Sequence, residues 1–180
     1  MPPLQPPDDG ASFAIPTLAG RMPMSESPIV IDVDDQDLSA ATSGRFRVLI
    51  VDDDPDDVYV MRSALRLASS QLPGPLDVSV AVNGQDGLHT LEKLKNQGAL
   101  PDVVLLDLNM PLMDGMTMLT HCRADSHFRH LTIVVVTTAS DTHTAVKASA
   151  LGASATYVKP SSRGEMVAVM ESISEKYLLD

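Results

Sequence analysis

Asp52 and Asp53 follow the apolar run Val48-Leu49-Ile50-Val51, and Asp107 follows a second one, Val103-Val104-Leu105-Leu106. Thr138 and Lys159 close two further runs, Ile133-Val134-Val135-Val136-Thr137 and Ala155-Thr156-Tyr157-Val158. Carboxylates that converge at low dielectric repel strongly and need a cation to be tolerated. Mg²⁺ suits such a set because it takes hard oxygen ligands, keeps some waters, and uses one or two carboxylates together with phosphate oxygens. Beside a bound metal, the Asp107 carboxylate has the makings of a nucleophile toward phosphorus that forms an acyl phosphate. Lys159 would then neutralise equatorial oxygens, and the Thr138 hydroxyl would donate a hydrogen bond to one of them.

For these groups to meet, their strands must end at one edge. From Arg45 onward, short β-branched runs alternate with helical stretches. The expected strands are Phe46 to Val51, Leu76 to Val82, Asp102 to Leu106, Leu131 to Thr137 and Ala155 to Val158. The third and fourth are apolar on both faces, as in a parallel sheet covered by helices on both sides. Asp54-Pro55 opens a helix carrying Val58, Met61, Leu65 and Ala68 at helical spacing. Leu88, Leu91 and Leu94 mark a second helix that ends at Gly98. Asp114 caps a third through Met116 and Leu119, and Asp141 a fourth that closes at Leu151-Gly152. Met166, Val169, Ile173 and Tyr177 form the stripe of a fifth. Five alternating units predict an α/β, doubly wound, five-stranded parallel sheet with helices on both faces, and ligands in such sheets bind at the strands' carboxyl edge.

The chain has 180 residues, room for one domain and an extension. Seven of its 13 prolines lie in the first 28 residues, and residues 1–44 hold seven acidic residues against Arg21 alone. That composition predicts a disordered, acidic, proline-rich extension over 1–44, followed by a folded domain over 45–180. The formal net charge of −11 removes the usual electrostatic source of nucleic-acid binding. Cys122 is the single cysteine, so neither an intrachain disulfide nor a cysteine-based zinc site is possible, in keeping with a cytoplasmic protein. No apolar run approaches the length of a membrane span, and no export signal is read at the start.

The runs Val-Leu-Ile-Val-Asp52-Asp53-Asp54-Pro55, Leu-Leu-Asp107-Leu-Asn109-Met-Pro111-Leu-Met-Asp114-Gly115, Val-Thr137-Thr138-Ala139 and Tyr157-Val-Lys159-Pro160 occur at intervals of 55, 31 and 21 residues between Asp52, Asp107, Thr138 and Lys159. In this order and spacing they resemble the response-regulator receiver family over residues 45–180. The resemblance implies a flavodoxin-like fold with strand order 2-1-3-4-5. It implies phosphorylation of Asp107 by a sensor histidine kinase, with self-catalysed phosphorylation and slow autodephosphorylation rather than turnover of a substrate. It further implies Mg²⁺ held directly by Asp53 and Asp107, by Asp52 largely through water, and by the backbone carbonyl of Asn109, with Thr138 and Lys159 contacting the phosphoryl group. A cis Lys159-Pro160 bond is implied as well. The Asp-Asp-Asp-Pro-Asp-Asp start, the long first helix and the Leu-Asp-Leu-Asn-Met-Pro run resemble the stand-alone receivers paired with phytochrome-type kinases. One departure is Thr156, which stands where the family usually has an aromatic residue, with Tyr157 one place later.

The chain stops just past the fifth helix, so no output domain is expected and the signal should leave through a surface. Homodimerisation through the fourth helix, fifth strand and fifth helix is one expectation, with Ala145, Ala148, Val169, Met170 and Tyr177 as apolar or small residues there. Relay to a histidine phosphotransfer protein is the other. Met110, Met113, Met116 and Met118 read as adaptable packing around the third loop and helix. Two rival classes remain: a pseudo-receiver that binds partners without phosphate, and a phosphatase similar to haloacid dehalogenases that uses Asp32 of Val30-Ile31-Asp32-Val33-Asp34. The latter motif sits in the acidic extension without the structural context it needs.

Overall fold

The computed structural model describes residues 44–179. The expected extension up to residue 43, with its Asp32 motif, lies outside the described residues. Five strands, β1 (Phe46–Val51), β2 (Leu76–Ala81), β3 (Val103–Leu106), β4 (Thr132–Thr137) and β5 (Ala155–Val158), alternate with five helices. These are α1 (Pro55–Ala68), α2 (Gly84–Asn96), α3 (Gly115–Ala124), α4 (Thr142–Ala150) and α5 (Arg163–Tyr177). The sheet is wholly parallel, in the order β2-β1-β3-β4-β5. The flavodoxin-like α/β fold expected from the motifs is therefore present.

Strand alternation divides the core. Val48, Ile50, Val103, Leu105, Val134 and Val136 face one side, where they pack with Met61 and Leu65 of α1 and Met166, Met170 and Ile173 of α5. Leu49, Val51, Val104, Leu106 and Ile133 face the other, against Leu91 of α2 and Met118, Leu119 and Cys122 of α3. Val135 meets Ala148 of α4 on that second side. Because neighbouring strands pair in register (Val48↔Val103, Leu49↔Val104), both faces are apolar along their length. Each fully buried Leu or Ile contributes about 1.5–3 kcal/mol. The methionines pack as expected: Met110 and Met118 are buried, and Met113 and Met116 lie against the core.

Each helix begins at a side-chain cap. Asp54, Asn83, Asp114, Asp141 and Ser162 accept backbone N–H groups from the first turns of α1 to α5 respectively. A good cap contributes about 1 kcal/mol. β2 ends at Ala81 rather than Val82, because the Val82 N–H leaves the ladder and donates to the Asp86 carboxylate at 3.0 Å.

Arg123, on the last turn of α3, ties the α3 side of the sheet together. Its guanidinium donates to the carbonyls of Gly152 (2.8 and 2.9 Å), Leu131 (3.0 Å) and Phe128 (3.4 Å). Gly152 has φ +96, and a Cβ there would meet Arg123 Nε at 2.9 Å, so glycine serves both the turn after α4 and the approach of the guanidinium. Hydrogen bonds from a charged donor are each worth about 1.5–3 kcal/mol. Arg123→Ala should therefore lower unfolding free energy by about 2–3 kcal/mol in urea titrations. A loss below about 0.5 kcal/mol, the level of ordinary surface changes, would mean that water satisfies these carbonyls equally well.

Candidate functional site

The paired ends of β1 and β3 (Val51↔Leu106) are where the acidic residues emerge. The Asp107 N–H donates to the Val51 carbonyl at 2.9 Å, and the Asp52 N–H to the Ala81 carbonyl at 3.0 Å. The ladder thus continues one residue beyond each strand and sets Asp52 and Asp107 side by side. Both are buried, at 1 % and 6 % exposure, while Asp53 faces solvent. Oxygens of Asp52, Asp53 and Asp107 all lie within 4.8 Å of one another. Asp54, next in line, is not part of this group, because its carboxylate caps α1 through the N–H groups of Asp56 (2.8 Å) and Asp57 (3.4 Å).

A glycine brings α3 against the same corner. A Cβ on Gly115 would lie 2.1 Å from the Asp107 carbonyl oxygen, so only glycine lets the first turn of α3 rest on the Asp107 backbone. Between them, Leu112 takes a left-handed φ of 67, a conformation costly for a leucine, in the turn after Pro111.

Lys159 arrives from β5. Its N–H donates to the Thr137 carbonyl at 2.8 Å, and its side chain, 6 % exposed, reaches back across the edge of the sheet. Its Nζ lies 2.7 Å from Asp52 Oδ2 and 3.6 Å from Asp107 Oδ1, and it donates to Asp57 Oδ2 at 2.8 Å. The Lys159-Pro160 peptide is trans, which corrects the expectation of a cis bond. No backbone reversal is needed: the strand-end hydrogen bond to Thr137 and the length of the lysine stem bring the ammonium to the carboxylates.

The electrostatics are those of an anionic pocket with too little positive charge. Burial raises the pKa of Asp52 above the ordinary carboxylate value, against the opposing pull of Lys159 and the Asp54 N–H. Burial alone would lower the pKa of Lys159, but the neighbouring Asp52, Asp57 and Asp107 carboxylates outweigh it and raise it. Asp52 Oδ2 and Asp107 Oδ1 are both buried and accept no well-directed hydrogen bond, so proximity to Lys159 is their main compensation. Two orphaned carboxylate oxygens beside a third, solvent-facing carboxylate form a donor set that a hard divalent cation fits.

The structure brings together Asp52, Asp53, Asp107 and Lys159. Thr138 stands at the same edge, one residue past β4, with an exposed side chain that makes no hydrogen bond to another described residue. Asn109 is exposed, and its N–H donates to Asp107 Oδ2 at 3.3 Å. Asp57 is the member that the sequence reading missed. Its only signal there is an acidic residue in the first turn of a helix, which complements the helix dipole in many proteins. Thr156 pairs with Val135 on the α4 side, whereas Tyr157 packs into the α1–α5 core with its hydroxyl 3.4 Å from Ser172 Oγ. The usual aromatic position is therefore vacated on the α4 side.

The model of the response regulator receiver domain matches residues 48–171. This chain belongs to that family. The receiver is 31% identical over 127 residues to the transcriptional regulatory protein PrrA of Mycobacterium leprae, covering 71% of this chain and 49% of that protein. It spans less than half the length of the curated relatives it matches. Among solved structures it is similar to a response regulator in red-light signalling of R. palustris, at 27% identity and TM-score 0.64, over 72% of this chain and 92% of that one. The phosphorylated cyanobacterial phytochrome response regulator RcpA shares the fold at 23% identity and TM-score 0.67, over 75% and 95% of the two chains. No helix among the described residues is long and apolar enough to cross a membrane.

A divalent cation at ten times its Kd should stabilise the receiver by about 1.4 kcal/mol, a thermal shift of several degrees. Asp53→Asn should abolish most of this shift and Asp54→Asn should leave it, because the Asp54 carboxylate is engaged in capping. Equal losses in the two variants, measured by calorimetry with and without the cation, would refute this division.

Proposed function

We propose that this receiver accepts a phosphoryl group on Asp107 from a sensor histidine kinase and transmits the change through its surface. The observation that carries the reading is the buried Asp52–Asp107 pair with its orphaned oxygens, facing the Lys159 ammonium at the carboxyl edge of β1 and β3. A carboxylate oxygen of Asp107 would attack phosphorus as the bond to the donor's nitrogen breaks, leaving an acyl phosphate. Asp53 and Asp107, the Asn109 carbonyl, and Asp52 largely through water would hold Mg²⁺, which when bound offsets the charge on the phosphoryl oxygens. Lys159 would contribute the second positive charge. The exposed Thr138 hydroxyl is free to turn toward a phosphoryl oxygen and so to report its presence. Self-catalysed phosphorylation and slow autodephosphorylation are the activities this reading assigns, without a separate substrate.

The likeness to a response regulator in red-light signalling of R. palustris favours a light-sensing kinase, of the phytochrome type, as the donor, and the reading takes the receiver as a single-domain regulator acting in the cytoplasm. Incubated with Mg²⁺ and a small phosphodonor, the protein should gain one hydroxylamine-labile phosphoryl group, and Asp107→Ala should gain none. Labelling that survives this substitution would sink the assignment of Asp107, and wild-type protein that takes no label would return the pseudo-receiver reading.

For output, a homodimer through α4, β5 and α5 is assigned first and relay to a histidine phosphotransfer protein second. Of the residues expected on that face, of which only some should be left over once the core is filled, Ala148 and Met170 are wholly buried and unavailable to a partner. The core claims them because they face Val135 on one side of the sheet and Val134 and Val136 on the other. Ala145, Val169 and Tyr177 are half-buried, and the exposed Val146 and Val158 supply the apolar contact area instead. Sedimentation at tens of micromolar, the affinity range of about −6 kcal/mol, should show dimerisation with an acyl-phosphate mimic. A monomer with and without the mimic leaves relay as the output.

A further inference from the structure

An ammonium has three N–H donors, and Lys159 faces three carboxylates. Nζ is 2.8 Å from Asp57 Oδ2, 2.7 Å from Asp52 Oδ2 and 3.6 Å from Asp107 Oδ1. It donates a hydrogen bond to Asp57 Oδ2 and is held by charge beside Asp52 and Asp107. A phosphoryl oxygen arriving on Asp107 competes with these partners for the ammonium and gains most when one of them gives way. Asp52 is poorly placed to do so: its side chain is 0 % exposed, and Oδ2 has no other partner to fall back on. Asp57 differs, with a side chain 36 % exposed at the first turn of α1, where water can replace the lysine.

We propose that Asp57 is a positioning residue that holds Lys159 in the resting site and yields it to the phosphoryl group. Asp57 thereby sets the fraction of molecules in which Lys159 is available, and that fraction scales the apparent affinity for any phosphoryl-like ligand on Asp107. This rests on the reading of Asp107 as phosphoacceptor. A purely structural Asp57, acting on the α1 dipole, would alter stability but not ligand affinity.

The test uses the full chain with saturating Mg²⁺ and titrates beryllofluoride, followed by amide chemical shifts. Asp57→Asn should bind it about two- to fivefold more tightly, the range expected for release of a partly exposed ion pair. Asp57→Ser, which keeps a polar side chain in the first helical turn, should behave like Asp57→Asn, and Asp57→Glu should return to near wild-type affinity. In a Lys159→Met background the Asp57→Asn gain should vanish, since no ammonium remains to be released. Wild-type protein that takes beryllofluoride while Asp57→Asn and Asp57→Ser bind it no more tightly would overturn the proposal. So would an undiminished gain in the Lys159→Met background, because that would mean simple loss of a nearby negative charge. If wild-type protein takes no beryllofluoride at all, the phosphoacceptor reading itself fails, and this inference with it.

Discussion

One lysine ammonium stands among buried carboxylates at the end of a parallel sheet, and the rest of the site is organised by that imbalance. Lys159 touches Asp52, Asp57 and Asp107, while Asp53 adds a fourth carboxylate toward solvent. Ionised carboxylates at this spacing in a region of low dielectric are costly unless positive charge is shared among them. The raised pKa of Asp52 is one expression of that cost, and the raised pKa of Lys159 is its counterpart on the cation. A site left with such an excess of negative charge and two orphaned oxygens is suited to a divalent cation.

The fold makes that arrangement durable. Asp52 and Asp107 sit one residue past strands whose side chains are buried on both faces, so neither strand can slip without exposing apolar residues. The α3 helix begins directly on the Asp107 carbonyl, which only a glycine at position 115 permits. Arg123 then anchors the far end of the same helix to three backbone carbonyls. The reactive corner is thus braced at both ends of α3, while Leu112 and its neighbours keep a strained, exposed loop beside it.

The opposite flank of the sheet has a different character. At Thr156, where an aromatic side chain would ordinarily face α4, a small polar residue leaves the α4 side thinly filled, and Ala148 is the one α4 residue buried against the sheet. Tyr157 is committed to the α1–α5 core.

The sequence by itself determined the five-unit alternation, the parallel sheet, the helix caps at Asp54, Asp114 and Asp141, and the placement of Asp52, Asp53, Asp107 and Lys159 at one edge. These follow from local chemistry: β-branched runs make strands, an Asp before a helix satisfies free N–H groups, and a parallel sheet aligns its carboxyl ends. The tertiary structure alone decided which carboxylates share the lysine. Asp57 lies 102 residues from Lys159, and no periodicity links them; only the packing of α1 against α5 brings the end of β5 over the first turn of α1. The burial of Ala148 and that of Met170 were beyond the sequence for the same reason. Each depends on how much room the neighbouring elements leave, a property of the assembled layers that no single segment encodes.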